Sequence, residues 1–204
     1  MKPFTPYRKT QSAQLLNKQE LKFLDTAVGI TLDTTVEQVT SFNIVTQGDA
    51  NNNRDGSVIQ VKSVQINGRC ANIPAASATS AGIAYIWVVL DKQPNGAAPT
   101  VTDYLTGTTA PTALPLVNNQ YRFKTLGKIV IPLNSQAGVT TAYNNQSMPV
   151  EWYYKFKKPL EIRFNGNAGS VADVTSNNIH LIAGAADADD IIAFNATLRI
   201  RFTG

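Results

Sequence analysis

Three carboxylates crowd into one short stretch, A-A-D-A-D-D-I-I, at Asp187, Asp189 and Asp190. Carboxylate oxygens are the hard ligands that calcium takes, so an ion shared at a subunit contact is one reading. Their spacing matches no known cation loop, and a solvated loop between two strands is the other. The one histidine, His180, lies in N-I-H-L-I-A with no nucleophile or acid at a useful spacing. It is expected to be a strand residue, hydrogen-bonded or exposed on one face, rather than a base. The one cysteine, Cys70, excludes an intrachain disulfide, and a single histidine beside it completes no zinc ligand set. No phosphate-binding glycine loop or nucleophile elbow occurs, so catalysis and a resident cofactor are not expected.

The chemistry that remains is electrostatic. From Met1 to Lys22 the chain carries Lys2, Arg8, Lys9, Lys18 and Lys22 against Glu20 alone, which accounts for the whole formal charge of +4. The rest of the chain is balanced. Such an arm suits contact with phosphates, which attract cations without base readout; an ordinary disordered terminus is the alternative. Two further cations, Arg199 and Arg201, alternate with Leu198, Ile200 and Phe202 in L-R-I-R-F. Period-2 geometry puts the three apolar side chains on one face and both guanidinium groups on the other.

Elements of that kind recur along the chain. Apolar and β-branched runs lie at about 21–28, 36–45, 58–71, 83–90, 121–133, 150–164, 179–183 and 196–202, with little helix between them. The dipeptides Asp55-Gly56, Asn67-Gly68, Asn95-Gly96 and Asn165-Gly166 punctuate the series and favour tight turns or bulges. In V-I-Q-V-K-S-V-Q-I the apolar phase shifts from Ile59 and Val61 to Val64 and Ile66, which predicts a bulge near Lys62-Ser63 and leaves Cys70 in the core. Both faces of I-A-Y-I-W-V-V-L are apolar, so the strand holding Tyr85 and Trp87 needs a cover on each side, from its own chain or from a neighbour. After it comes D-K-Q-P-N-G-A-A-P-T-V-T-D-Y-L. Here Pro94 and Pro99 stiffen a turn at Asn95-Gly96, and Thr100 with Asp103 has the shape of a capping box before a short helix that includes Tyr104. The pattern is that of a rigid connector.

With 204 residues, no internal repeat and no linker, a single all-β domain is expected, with a mobile basic arm over 1–20 and the domain over 21–204. No run of about 18 apolar residues and no apolar signal core is present, so no membrane span and an unsecreted, soluble chain are expected.

Four phrases in order, G-D-A-N-N-N-R-D-G-S-V-I-Q-V-K-S-V-Q-I, Y-I-W-V-V-L-D-K-Q-P-N-G-A-A-P-T-V-T-D-Y-L, Y-R-F-K-T-L-G-K-I-V-I-P-L-N, and S-N-N-I-H-L-I-A with L-R-I-R-F-T-G, resemble the capsid proteins of small circular single-stranded DNA viruses, the circovirus-like group. More distantly they are similar to the coat protein of necrosis-type satellite viruses. The resemblance covers roughly residues 20–204. It implies a single jelly roll of two four-stranded antiparallel sheets, self-assembling as about 60 copies into an icosahedral T=1 virion shell around single-stranded DNA, or RNA, inside the nucleus or cytoplasm of a host. It also implies a long connection that meets neighbours after the strand ending near Leu90, making Tyr85, Trp87, Pro94, Asn95, Pro99 and Tyr104 interface residues. Arg54, in the arginine-any-glycine turn ending at Gly56, is implied as an interface or nucleic-acid contact. The sheet bearing Arg199 and Arg201 faces inward in the shells resembled, although a carboxylate of a neighbour is an equal alternative partner for them. One departure stands out: the resemblance implies a long arginine-rich arm, whereas this arm is short and modestly basic. A lectin-like β-sandwich binding module is the alternative function.

Overall fold

The computed structural model describes residues 20–34, 36, 38–73, 82–133, 147–186 and 191–204. The strands are β1 (Lys22–Leu32), β2 (Gln38–Ser41), β3 (Val58–Ile73), β4 (Gly82–Asp91), β5 (Phe123–Leu133), β6 (Ser147–Phe164), β7 (Val174–Ser176), β8 (Asn178–Ala185) and β9 (Ile191–Thr203). One helical turn, α1 (Val101–Tyr104), interrupts the β4–β5 connection.

Two antiparallel sheets face each other, one ordered β1-β9-β3-β6-β7 and the other β2-β8-β4-β5. Leaving out β7, the pairs are first with last, second with second-last, and so inward to β4 with β5. That is a long antiparallel ribbon folded at its middle and rolled up, the jelly roll. The expectation of two four-stranded sheets is corrected in one particular. β7 is a three-residue strand, absent from the periodicity reading, that pairs with β6 at Arg163 and Phe164 and makes a fifth.

Alternation along each strand builds the core. Val64, Ile66 and Cys70 of β3 with Leu198, Ile200 and Phe202 of β9 meet Ile86 and Val88 of β4 and Leu181 and Ala183 of β8. Each large aliphatic chain buried there contributes roughly 1.5–3 kcal/mol. The bulge expected near Lys62-Ser63 lies between Val61 and Ser63, and it resets the phase so that both halves of β3 face inward. Burial raises the Cys70 thiol to about 12, so it stays protonated and inert.

Asn67-Gly68, read as favouring a tight turn or a bulge, instead sits in regular register inside β3. A Cβ on Gly68 would stand 2.3 Å from the carbonyl oxygen of Asn195, so glycine there allows close approach to β9 rather than reversal of the chain. Asn95-Gly96 does turn, with Gly96 at φ 83°. The edge strand β5 carries Pro132, which lacks a donor where a foreign strand would otherwise add.

The second cover of β4 comes from the chain itself. Trp87 and Val89, with Ile182 of β8, pack under Val101, Tyr104, Leu105, Ala110 and Ala113 of the connector and form a second apolar cluster. The connector is tied down at its base by Lys92 N–H donating to Arg122 O (2.8 Å) and against the β1–β2 connection by Val36 N–H donating to Thr108 O (2.7 Å).

Candidate nucleic-acid and subunit interfaces

The outer face of the five-stranded sheet is laid out by register. Across β6, β3, β9 and β1, one row reads Lys155, Ser63, Arg201, Phe23. The next row reads Tyr153, Gln65, Arg199, Asp25, and the one after it Glu151, Asn67, Thr197, Ala27. Arg199 is held by Asp25 through two bonds of 2.6 Å, Nε–H to one carboxylate oxygen and Nη2–H to the other. Its guanidinium carbon also lies 4.9 Å from the centre of the Phe23 ring. The Arg199 bond holds the Asp25 carboxyl below its usual range. Of the two open readings for Arg199, a carboxylate partner is therefore present, and it belongs to the same chain. Arg201 makes a single bond, donating to Gln65 Oε1 at 3.2 Å. Beside Arg199 the face sinks into a depression of about 400 Å3 lined by Asp25, Gln65, Asn67, Thr197 and Arg199.

The alternation in L-E-I-R-F places Glu161 and Arg163 of β6 outward, but the sequence reading passed over the earlier part of that strand. Glu151, Tyr153 and Lys155 share one phase of E-W-Y-Y-K, and all three are exposed, Tyr153 to 55%. The alternation that placed Arg199 and Arg201 was legible here too; two adjacent tyrosines obscured it.

Arg54 is a correction. It is 1% exposed, its Nε–H donates to Val45 O (3.1 Å), and its two Nη groups donate to Gly56 O and Gly166 O. The guanidinium also lies 4.4 Å from the centre of the Phe164 ring. With its bonds made to carbonyls of the β2–β3 and β6–β7 connections, it locks those two loops together and presents nothing to a neighbour or a phosphate. Lys22 is a second correction. It belongs to β1, is 5% exposed, and pairs with Asp55, so it is part of the body rather than of an arm. Lys2, Arg8, Lys9 and Lys18 lie outside the described residues, as do Asp187, Asp189 and Asp190. Among the described residues, no group of three or more His, Cys, Asp and Glu side chains stands close enough to hold a metal.

In the connector the expected contact residues divide. Trp87 and Tyr104 are 1% and 2% exposed under the chain's own cover, and Pro99 is buried too, so these three are corrected to core. Tyr104 donates to or accepts from Thr125 Oγ1 at 2.6 Å. Asn95 is exposed, and Pro94 and Tyr85 are half-buried. Thr100 and Asp103 form the expected capping box, the Asp103 carboxylate accepting from Thr100 N–H at 2.8 Å. The large apolar side chains facing outward are others: Leu114, Val117 and Tyr121, the last 80% exposed. Sequence reasoning missed them because a loop offers no period from which to read a face.

Beneath the connector lies a polar group whose histidine and carboxylate are fully buried. His180 is fully buried with Nδ1 3.1 Å from Ser41 Oγ, and Asp91 accepts two bonds from Arg122, at 3.0 and 2.8 Å.

The sequence profile of the Geminivirus coat protein/nuclear export factor BR1 family matches residues 3–188. No curated protein matches the chain. Among solved structures, a 60-mer BFDV capsid protein is 10% identical, with 91% of this chain and 94% of that one aligned at a TM-score of 0.33. The infectious bursal disease virus Gt strain is 10% identical over 92% of this chain and 34% of that one, at a TM-score of 0.24. The VP2 subviral particle of infectious bursal disease virus is 12% identical over 88% and 33%, at a TM-score of 0.23. The chain thus spans about a third of the infectious bursal disease virus chains. The jelly-roll assignment rests on the strand order described above.

Proposed function

Because the chain belongs to the Geminivirus coat protein/nuclear export factor BR1 family and is a structural coat protein of the virion, we propose that it assembles as about sixty copies into an icosahedral shell enclosing a single-stranded DNA genome. The observation that carries the reading is the family match over residues 3–188, on a chain whose strand order is that of a jelly roll. A kinship with the circovirus-like group, and a more distant one with satellite viruses, rests on the four phrases quoted above and belongs to the same proposal. The lectin-like alternative has no support from the family match.

The division of labour follows from charge. Lys2, Arg8, Lys9 and Lys18 precede β1 and would meet phosphates, and Arg201, with one weak partner where Arg199 has two short bonds to Asp25, is the freer of the two β9 arginines to do so. Sixty arms of +4 supply on the order of 240 positive charges, few against thousands of phosphates, so other cations on the inner surface must share the task. Leu114, Val117 and Tyr121 are proposed as a neighbour contact in place of Trp87 and Tyr104. Calcium at Asp187, Asp189 and Asp190 remains a proposal, and swelling of particles in chelator would support it.

The test is direct. Expressed protein would be sized by exclusion chromatography and negative-stain microscopy, then extracted for nucleic acid and treated with nuclease. Megadalton spheres containing nuclease-protected single strands are expected; a small soluble species would overturn the reading.

A further inference from the structure

Resting on the coat-protein reading, we propose that the outer face of the five-stranded sheet is a stacking surface for unpaired bases, with Tyr153 as its platform and Lys155 and Arg201 as its phosphate contacts. Tyr153 stands 55% exposed within a regular stretch of β6, paired to Gln65 of β3, where neither the core nor the connector makes use of its ring. An aromatic ring left in water costs apolar burial, and a flat partner would recover it. The cations are placed to bring such a partner. Lys155 lies two residues along the same strand, and Arg201 sits across Ser63 in the same row as Lys155. With rows about 7 Å apart and strands about 4.8 Å apart, both cations fall within roughly 12 Å of the ring at the backbone.

The depression of about 400 Å3 beside Tyr153 has a floor of side-chain amides and a hydroxyl, from Gln65, Asn67 and Thr197. Amides present both donors and acceptors, so the floor can meet the edge of a base without favouring a charge. Its one carboxylate, Asp25, is occupied by Arg199, and counting the exposed Glu151 beside Tyr153 the face sets three cations, Lys155, Arg199 and Arg201, against two carboxylates, a surplus of one positive charge. Net positive charge, an exposed ring and uncharged amides together fit a single-stranded nucleic acid, since every base has a π-face and only an unpaired strand offers it freely. This surface uses the bases themselves, which the arm does not.

The probe is a fluorescent oligothymidylate, and the same strand made abasic, binding to the purified full chain by anisotropy across a salt series. Tyr153→Leu should weaken the intact strand about tenfold while leaving the abasic strand and the salt slope unchanged. Tyr153→Phe should restore affinity, which separates lost stacking from a disturbed fold. Lys155→Gln should lower the salt slope by about 0.7 for both strands. Equal affinity for intact and abasic strands, or no effect of Tyr153→Leu, would overturn the proposal. Either result would leave the arm reading standing if deletion of residues 1–19 still lowered affinity. Loss of particles in Tyr153→Leu with strand affinity retained would assign the face to a second copy of the chain, and would overturn it equally.

Discussion

At the scale of the residue, the chain's one histidine has become a recorder of burial. Desolvation, opposed by the charge of Asp91 and reinforced by that of Arg122, lowers His180 from its ordinary 6.5 to about 4. Its Nε2 has no partner among the described residues. The unfolded chain therefore takes up a proton near pH 6.5 that the folded chain refuses until about pH 4. Stability is full above 6.5 and declines as pH falls toward 4, by about 3 kcal/mol if the whole shift is realised. Denaturant midpoints of the subunit at pH 7 and pH 4.5 should differ accordingly, and His180→Gln should flatten the difference. A midpoint equally pH-sensitive in that variant would place the titration elsewhere. Arg54 shows the limit of reading single residues. Its charge was visible in the sequence, but the carbonyls at Val45, Gly56 and Gly166 that consume it converge only in the fold.

Among the elements, what was legible is what has a period. The alternation in L-R-I-R-F placed both faces of β9, the phase shift in β3 announced its bulge, and the doubly apolar β4 announced two covers. What was not legible lacks a period or depends on distant partners. β7 is three residues long, and Gly68 serves β9 rather than a turn. Nothing in the connector's sequence shows that it folds back on its own strand, with Val101 and Tyr104 over Trp87 and Val89. The buried underside and the exposed surface of the connector should answer mutation differently. Trp87→Ala empties the cluster beneath it and should cost about 3–5 kcal/mol in chemical denaturation. Tyr121→Ser touches only an exposed ring and should change subunit stability by no more than about 0.5 kcal/mol. It should nonetheless reduce particle yield, measured by light scattering and microscopy. Normal particles from Tyr121→Ser would remove that side chain from the contact.

For the whole molecule, the body begins at β1, and Lys22 is already bound within it through Asp55. Removing residues 1–19 should therefore leave a soluble jelly roll that still assembles, with a lower ratio of absorbance at 260 to 280 nm from copackaged nucleic acid. An unchanged ratio, with loss on Arg201→Ala, would move packaging from the arm to the sheet. The pairing of β1 also has a bearing on the birth of the protein. Its partner in the sheet is β9, and the Asp25–Arg199 pair that joins them spans 174 residues of sequence. At synthesis rates of about 5–20 residues per second, β1 waits on the order of 10–35 seconds for that partner to leave the ribosome. Pairing so far apart in the chain also closes slowly once it is possible. Until then β1, with the exposed Phe23 on one face and Val28 and Leu32 on the other, is an open strand. A crowded polysome is thus the setting in which this chain is most prone to pair with the wrong copy of itself.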